Sequence, residues 1–160
     1  MLNLVIDFYG HQQWADAEVW KALEAFPSSL EDDDVRKKFH HIHLVQAAYL
    51  AIVTNTELVR KKLEEFSSMA ELKTYGITHH KLWMEFLPQL TEDKLKEKAN
   101  IPWFRKVPVD ITIGQGIIQA SMHSHYHRGQ ITMRLRQLGG DPPTTDLIAW
   151  YIKGKPEPNW

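Results

Sequence analysis

The sequence predicts an all-α protein built as an antiparallel four-helix bundle. Four long segments carry apolar residues at the intervals of three to five that place them on one face of a helix. Stretches rich in serine, proline or glycine separate most of these segments, and only the stretch before the fourth is long. The 160 residues include no cysteine, so the core must form without disulfides. We therefore expect a single bundle domain over residues 1–160.

The first two helices are predicted from apolar periodicity and from the residues at their ends. The first extends from about Leu4 to Phe26, and Pro27 follows it. The acidic run 31–34 then begins the second helix, because carboxylates are favourable at the positive end of the helix dipole. The apolar pattern of this helix continues to about Phe66.

The third helix is predicted from roughly Met69 to Leu90, with an irregular segment after it. Two prolines and short alternating runs in residues 91–112 predict a loop or a pair of brief strands. A fourth helix follows from about Asp110 to Leu138, and a glycine pair ends it. Two last segments complete the prediction, a short C-terminal helix over 146–152 and a tail over 153–160.

The charge balance excludes one class of partner. Lys and Arg number 19 and Asp and Glu number 20, which gives no positive surface for a nucleic-acid backbone. No segment reaches the roughly 18 apolar residues of a membrane span, and the opening residues lack the pattern of a signal peptide. We expect a cytoplasmic protein that binds neither nucleic acid nor membrane.

The motif SMHSHYHRGQI, residues 121–131, indicates a metal site in the fourth helix. His123 and His127 are four residues apart, so they lie on one helix face with Cβ atoms about 5–6 Å apart. Two imidazoles at this spacing can bind one cation. His125 lies two residues from each and points away from both. Imidazole suits zinc, nickel, copper and iron alike, so the motif does not identify the ion.

The candidates for a third ligand are the histidines of HHIH, residues 40–43 in the second helix, together with His79, His80 and His11. On a helical wheel His40 lies nearly opposite the apolar centre and is expected in solvent. His41 and His43 both flank that centre. Periodicity therefore keeps both as candidates for the third ligand and prefers His41 only slightly over His43.

Several motifs resemble those of the DinB-like superfamily, which includes the bacillithiol and mycothiol S-transferases. HSHYHRGQI and the later RLRQLGGDPPTTDLIAWY are similar to its C-terminal signature. FHHIHLVQAAYL resembles its helix-2 motif, a histidine eight residues before an aromatic, here His41 and Tyr49. FYGHQQWADAEVW is similar to its opening, with Asp16 where asparagine is usual. Residues 67–110 carry no comparable match.

The resemblance implies a function as well as a fold. It implies one divalent ion, zinc or nickel, bound by His41, His123 and His127. Three protein ligands and a water form an open site of the catalytic type. The implied activity joins a low-molecular-weight, bacillithiol-like thiol to an electrophile, with no catalytic residue beyond the metal ligands, in a protein expected to be a homodimer.

Two other functions remain open at this stage. One is metal-dependent hydrolysis or isomerisation of a small molecule, and the other is metal binding by a stress protein without catalysis. A carboxylate or further imidazole near the metal-bound water favours hydrolysis. An apolar cavity with cationic groups favours thiol transfer, whereas a site filled by side chains favours the non-catalytic function.

Residues near the two histidines of the fourth helix are candidates for supporting roles. Arg134 lies on the ligand face and is a candidate for binding an anionic substrate. Tyr126 and Gln130 are candidates for accepting the second N–H of a ligating imidazole. Four further expectations are structural: Arg128, His79 and His80 at the surface, and close helix packing at Gly129.

Overall fold

The computed structural model describes residues 1–101 and 111–160, and the described chain is an all-α bundle, as predicted. Two strands of two residues each pair antiparallel before the fourth helix, which confirms the pair of brief strands. The predicted start of that helix at Asp110 lies outside the described residues. No described helix is both long enough and apolar enough to span a membrane. The elements are α1 Leu2–Glu24, α2 Asp33–Thr54, α3 Met69–Phe86, β1 Lys98–Ala99, β2 Ile111–Thr112, α4 Ile113–Leu138 and α5 Leu147–Ile152.

The second helix is shorter than predicted, because it ends at Thr54 and not near Phe66. Asn55 adopts the left-handed conformation with φ 53° and ψ 44°, and its backbone N–H donates to carbonyls of the last helical turn. Asparagine is one of the few residues other than glycine that adopt this conformation readily. Beyond it, only Leu63–Glu65 forms a further single turn before α3.

The connection from α2 to α3 runs back along the side of α2. Nε2 of His40 lies 2.9 Å from the carbonyl oxygen of Lys61, and Arg36 donates to the carbonyl of Phe66 at 2.7 Å. An extended chain of the length of 55–68 reaches about 46 Å, more than the roughly 33 Å of α2. The connection therefore returns the chain to the end of the bundle at which α2 begins.

As a result, α2 and α3 run in the same direction, so the expected antiparallel arrangement does not hold for this pair. His43 lies beside Gly76, and three residues further along α2 the carbonyl of Gln46 accepts a hydrogen bond from Nε1 of Trp83 at 3.0 Å. A later residue of α2 therefore contacts a later residue of α3, as it does when two helices are parallel. The opposite holds for α2 and α4: Arg134, late in α4, pairs with Asp32 at the start of α2, whereas Gly116, early in α4, lies beside Val53 near the end of α2.

The core contains two apolar clusters with a polar layer between them. Tyr9, Trp83 and Ile117 belong to the first cluster, and Trp20 and Phe39 belong to the second. Each of the four long helices contributes to both clusters, and each has buried polar residues at the positions between. The layer comprises Asp16 of α1, His43 and Gln46 of α2, His80 of α3, and Ser124 and Arg128 of α4.

Two helical glycines, Gly76 and Gly129, differ in how closely their neighbours pack. A Cβ atom on Gly76 would overlap the imidazole of His43, so only glycine allows that ring to lie against α3. A Cβ atom on Gly129 would have no neighbouring atom within 4 Å. The expectation of close helix packing at Gly129 is therefore wrong for the described residues.

The C-terminal segment packs on the bundle. Nε1 of Trp150 in α5 donates to the carbonyl of Pro156 at 3.1 Å. Lys155 forms an ion pair with Asp7 of α1 at 2.8 Å. The ring of Trp160 lies 5.2 Å from that of His80, centroid to centroid. The predicted tail therefore covers part of the polar layer.

Candidate metal centre

The structure brings together His41 of α2 and His123 and His127 of α4. Their ligating nitrogens all lie within 4.8 Å of one another, and Nε2 of His41 is 2.9 Å from Nε2 of His123. Two nitrogens that each bind one ion at about 2.0–2.1 Å, at 90–110° to each other, are about 2.9–3.4 Å apart. We call these three residues the histidine triad, and their separation suits a shared cation.

The two candidates from the second helix have different surroundings. His41 is exposed and meets the α4 pair, with ring centroids 4.8 Å from His123 and 4.7 Å from His127. His43 is fully buried on another side of α2, where Nε1 of Trp20 donates to its Nε2 at 3.3 Å. Only His41 therefore joins the triad.

Neither of the other nearby histidines is part of the triad. Nε2 of His40 lies against the carbonyl of Lys61, on the connection that follows α2. His125 is exposed, and it lies outside the group formed by His41 and its two α4 partners. The helix spacing does separate both rings from the ligand face, but His40, which was expected in solvent, is half-buried against that connection.

The surroundings of His41 and His123 favour neutral imidazoles, the form that binds metal. Burial lowers the pKa of His41, and the neighbouring His127 lowers it further. Burial likewise lowers the pKa of His123 to about 4, with additional contributions from His127 and His41. Protons on adjacent rings repel one another, so a single shared cation suits the triad better than several protons.

Gln130 orients one of the triad imidazoles. Nδ1 of His127 lies 2.8 Å from Oε1 of Gln130, and donation of the Nδ1 proton to that oxygen leaves Nε2 free to bind an ion. Tyr126 is exposed and contacts the His127 ring edge-on, with centroids 5.0 Å apart. The described residues show no hydrogen bond between Tyr126 and the triad, so its role as an acceptor stays a prediction.

Arg134 has a partner at the start of α2. Its Nη2 lies 2.7 Å and its Nε 3.0 Å from Oδ2 of Asp32. Oδ1 of Asp32 accepts the backbone N–H groups of Asp34 and Val35, so this carboxylate also caps α2. The substrate-binding role of Arg134 stays a prediction, and it requires the guanidinium to exchange Asp32 for a ligand.

A cavity of about 780 Å³ opens beside the triad, between α2 and α4. Most of its described walls are apolar side chains, Arg60 is the one charged residue among them, and these walls include no carboxylate. His41 and His123 line the cavity, so an ion on the triad faces space that a small molecule can occupy. The remaining lining residues are Leu44, Val45, Ala48, Tyr49, Leu58, Ile101, Ile111, Gln115 and Gln119.

A second group, Asp16, His43 and His80, also has ligand atoms within 4.8 Å of one another, and all three residues are buried. Hydrogen bonds within the polar layer already occupy these atoms. Oδ1 of Asp16 accepts from Arg128 at 2.8 Å, and Oδ2 lies 3.0 Å from Nε2 of His80 and accepts from Gln46 at 2.6 Å.

The histidines of this layer are held in the same way. Nδ1 of His43 lies 2.9 Å from Oε1 of Gln46, and its Nε2 accepts from Trp20. Nδ1 of His80 lies 3.1 Å from the hydroxyl of Tyr9. With both nitrogens of each ring engaged, the group is a closed hydrogen-bond network and offers no free ligand atom.

The polar layer overturns two sequence predictions. Arg128 and His80 were expected at the surface, yet each is only 1% exposed. The spacing of Leu72, Gly76, His80 and Trp83 on one face of α3 was the signal that places His80 inside. His79, the third such prediction, is half-buried, and its Nδ1 lies 2.9 Å from the carbonyl of Tyr75.

The fold and the triad define a class of protein: a helical bundle with an open histidine cluster able to hold a metal ion. The chain belongs to the DinB family, whose family model matches residues 1–157. It is similar to Protein DinB of Bacillus subtilis (strain 168), with 21% identity over 173 residues, 98% of this chain and 99% of that protein.

Proposed function

We propose that the protein is a metal-dependent transferase that joins a low-molecular-weight, bacillithiol-like thiol to an electrophile. One divalent ion, zinc or nickel, would be held by His41, His123 and His127. The observation that carries this proposal is the opening of the triad into a mostly apolar cavity with a single described cation. Such surroundings suit an apolar electrophile beside a bound thiol.

Different residues of the chain would have different roles in this reaction. A divalent ion supplies a site where a thiol binds as its reactive thiolate. Three protein ligands would leave a coordination position for substrate, and the contact between Gln130 and Nδ1 of His127 would leave Nε2 of that ring available to the ion. The apolar residues of α2, including Val45 and Tyr49, would hold the electrophile and exclude water from it.

The transfer needs no nucleophile from the protein. The thiol sulfur forms a bond to the electrophilic carbon, and the bond from that carbon to its leaving group breaks. The leaving group departs with the bonding electron pair, as halide when the electrophile is a haloarene, and the thiol proton passes to solvent. The absence of cysteine from the chain is consistent with this scheme.

Hydrolysis is the main alternative, and the cavity argues against it. A metal-bound water that attacks a substrate works best with a general base within hydrogen-bond reach. The described cavity walls contain no carboxylate. Thiol transfer has no need of such a base near the ion, so it fits these walls better.

Metal analysis and a thiol-consumption assay together test the proposal. Purified protein should contain one zinc or nickel ion per chain and should consume bacillithiol in the presence of chlorodinitrobenzene. His41→Ala, His123→Ala and His127→Ala should each lose the metal and the transfer. His125→Ala is the matched control on the same helix and should keep both.

Two results would contradict the proposal. Full metal retention in all three triad variants would place the ion elsewhere in the chain. A loaded wild-type protein that hydrolyses an activated ester but consumes no thiol would favour the hydrolase.

A further inference from the structure

We propose that the cavity beside the triad selects substrates with an elongated apolar body and one anionic group, and that Arg60 contacts that anion. This inference deepens the proposed function and rests on it for the reaction that the bound molecule undergoes. It follows from the shape of the cavity, from the polarity of its two walls and from the distribution of charge around it.

The size and length of the cavity indicate an elongated ligand. Its volume of about 780 Å³ lies within the range of about 300–1,000 Å³ that small-molecule sites occupy. Along α2 the lining residues extend from His41 to Tyr49, a rise of about 12 Å. A ligand whose reactive carbon lies at the imidazole end therefore has room for a chain or ring system beyond it.

The two long walls differ in polarity. On α2, Val45, Ala48 and Tyr49 present an apolar surface. On α4, Gln115 and Gln119 precede His123 at intervals of four residues, so they line the cavity from one helix face. This pattern suits a ligand with one apolar side and with hydrogen-bonding groups along the other.

The two glutamines keep hydrogen-bond donors for a ligand. Oε1 of Gln115 accepts the backbone N–H of Thr112 at 2.9 Å as part of the α4 capping box, so this amide presents its NH₂ group. Gln119 is exposed on the cavity side and forms no hydrogen bond through its side chain with the described part of the chain. These amide N–H groups can donate hydrogen bonds to a ligand that carries oxygen acceptors.

Among the described residues, the charge that lines the cavity is positive. Arg60 forms no ion pair with residues in 1–101 or 111–160, whereas the next residue, Lys61, pairs with Glu71. Neutral imidazoles do not offset the charge of a divalent ion, and the described walls contain no carboxylate. A loaded triad and Arg60 thus produce a positive potential in a partly apolar space, which favours an anionic ligand.

A pair of fluorescent probes tests this inference without turnover. Anilinonaphthalene sulfonate and phenylnaphthylamine share an aromatic body, and only the first carries an anion. Both are titrated into metal-free protein, so failure of metal binding or of thiol transfer does not affect the result. Wild-type protein should bind both probes, and Arg60→Gln should weaken the sulfonate about tenfold while changing the neutral probe less than twofold.

Two further variants make the test specific to the cavity. Lys62→Gln removes the same charge two residues away, from a side chain that does not line the cavity, and should change neither probe. Val45→Trp narrows the cavity and should weaken both probes, with a melting curve to show that it folds. The inference is overturned if Arg60→Gln and Lys62→Gln weaken the sulfonate equally, if Val45→Trp leaves both probes unchanged, or if wild-type protein does not bind the sulfonate.

Discussion

Nη1 of Arg128 lies 2.8 Å from Oδ1 of Asp16, and both side chains are buried. Arg128 is the residue directly after His127, and Asp16 belongs to α1. The ion pair therefore fixes the rotation of α4 about its axis at the point where His127 must face His41. Neighbouring groups in the polar layer, chiefly Arg128, hold the pKa of Asp16 well below its usual range, even though burial opposes this.

Replacement of Asp16 should destabilise the fold strongly. Asp16→Leu leaves the guanidinium of Arg128 buried without a counter-charge, which costs about 3–5 kcal/mol in the free energy of unfolding. Urea unfolding of the metal-free protein measures the loss. The double variant Asp16→Leu/Arg128→Met removes both charges and should recover much of it. A double variant as unstable as the sum of the two single variants would show that the pair is not coupled.

Acid should destabilise the metal-free protein through His43. Burial lowers the pKa of this ring to about 4, while Asp16 and the hydrogen bond to Gln46 act in the opposite direction. The unfolded chain binds a proton near the usual pKa of about 6.5, so it gains protons before the folded state does. Stability is then fully present above that pH and falls by about 3 kcal/mol toward pH 4.

The pH dependence of unfolding, measured in EDTA, tests this prediction. His43→Gln removes the titrating group, so its stability should decline less between pH 6.5 and pH 4 than that of the wild type. The triad histidines are unchanged in both proteins, and their contribution cancels in the comparison. Equal slopes for the two proteins would assign the acid sensitivity to other groups.

Gly76→Ala should destabilise the protein by crowding His43. The new methyl group would overlap an imidazole that Trp20 and Gln46 hold in place, and overpacking of this kind costs about 1–3 kcal/mol. Gly129→Ala is the matched control, because a Cβ there has open space around it and should stabilise α4 by about 0.5–1 kcal/mol. Thermal melts of both variants should therefore shift in opposite directions, and two upward shifts would contradict the packing at Gly76.

Gln130 should strengthen metal binding without touching the ion. Gln130→Met keeps the length of the side chain but removes the oxygen that accepts from Nδ1 of His127. Loss of such a partner typically weakens metal affinity by 10–100-fold, which competition with a zinc chelator measures. Gln137→Met on the same helix is the control, since its amide oxygen has only a 3.5 Å contact with Arg134. Equal affinities for both variants would remove Gln130 from the site.

Apolar periodicity predicted the helices well and one of their ends poorly. It placed all four long helices and the short C-terminal one, because each has a face that enters the core. It extended the second helix past Thr54, because Leu58 and Phe66 continue the apolar spacing. Those side chains belong to a segment that runs back along α2. Apolar spacing alone does not distinguish a chain that turns back from a helix that continues.

The candidate site was predictable in part. Helix geometry selected His123 and His127, and the family resemblance selected His41, since periodicity preferred it only slightly over His43. The structure separates the two by their surroundings, with His41 exposed beside α4 and His43 buried against Trp20. The burial of Arg128 depends on a carboxylate from another helix, a long-range pairing that no local pattern records.

The polar layer and the histidine triad share α2 and α4 but no side chain. Hydrogen bonds within the chain hold the Asp16 carboxylate at the centre of the polar layer, so we expect the bundle to fold before any cation binds. Because His41 is exposed, the candidate metal site remains accessible from solvent. We therefore expect a stable metal-free form that binds its ion after synthesis. That form can also exchange one metal ion for another as the cellular supply changes.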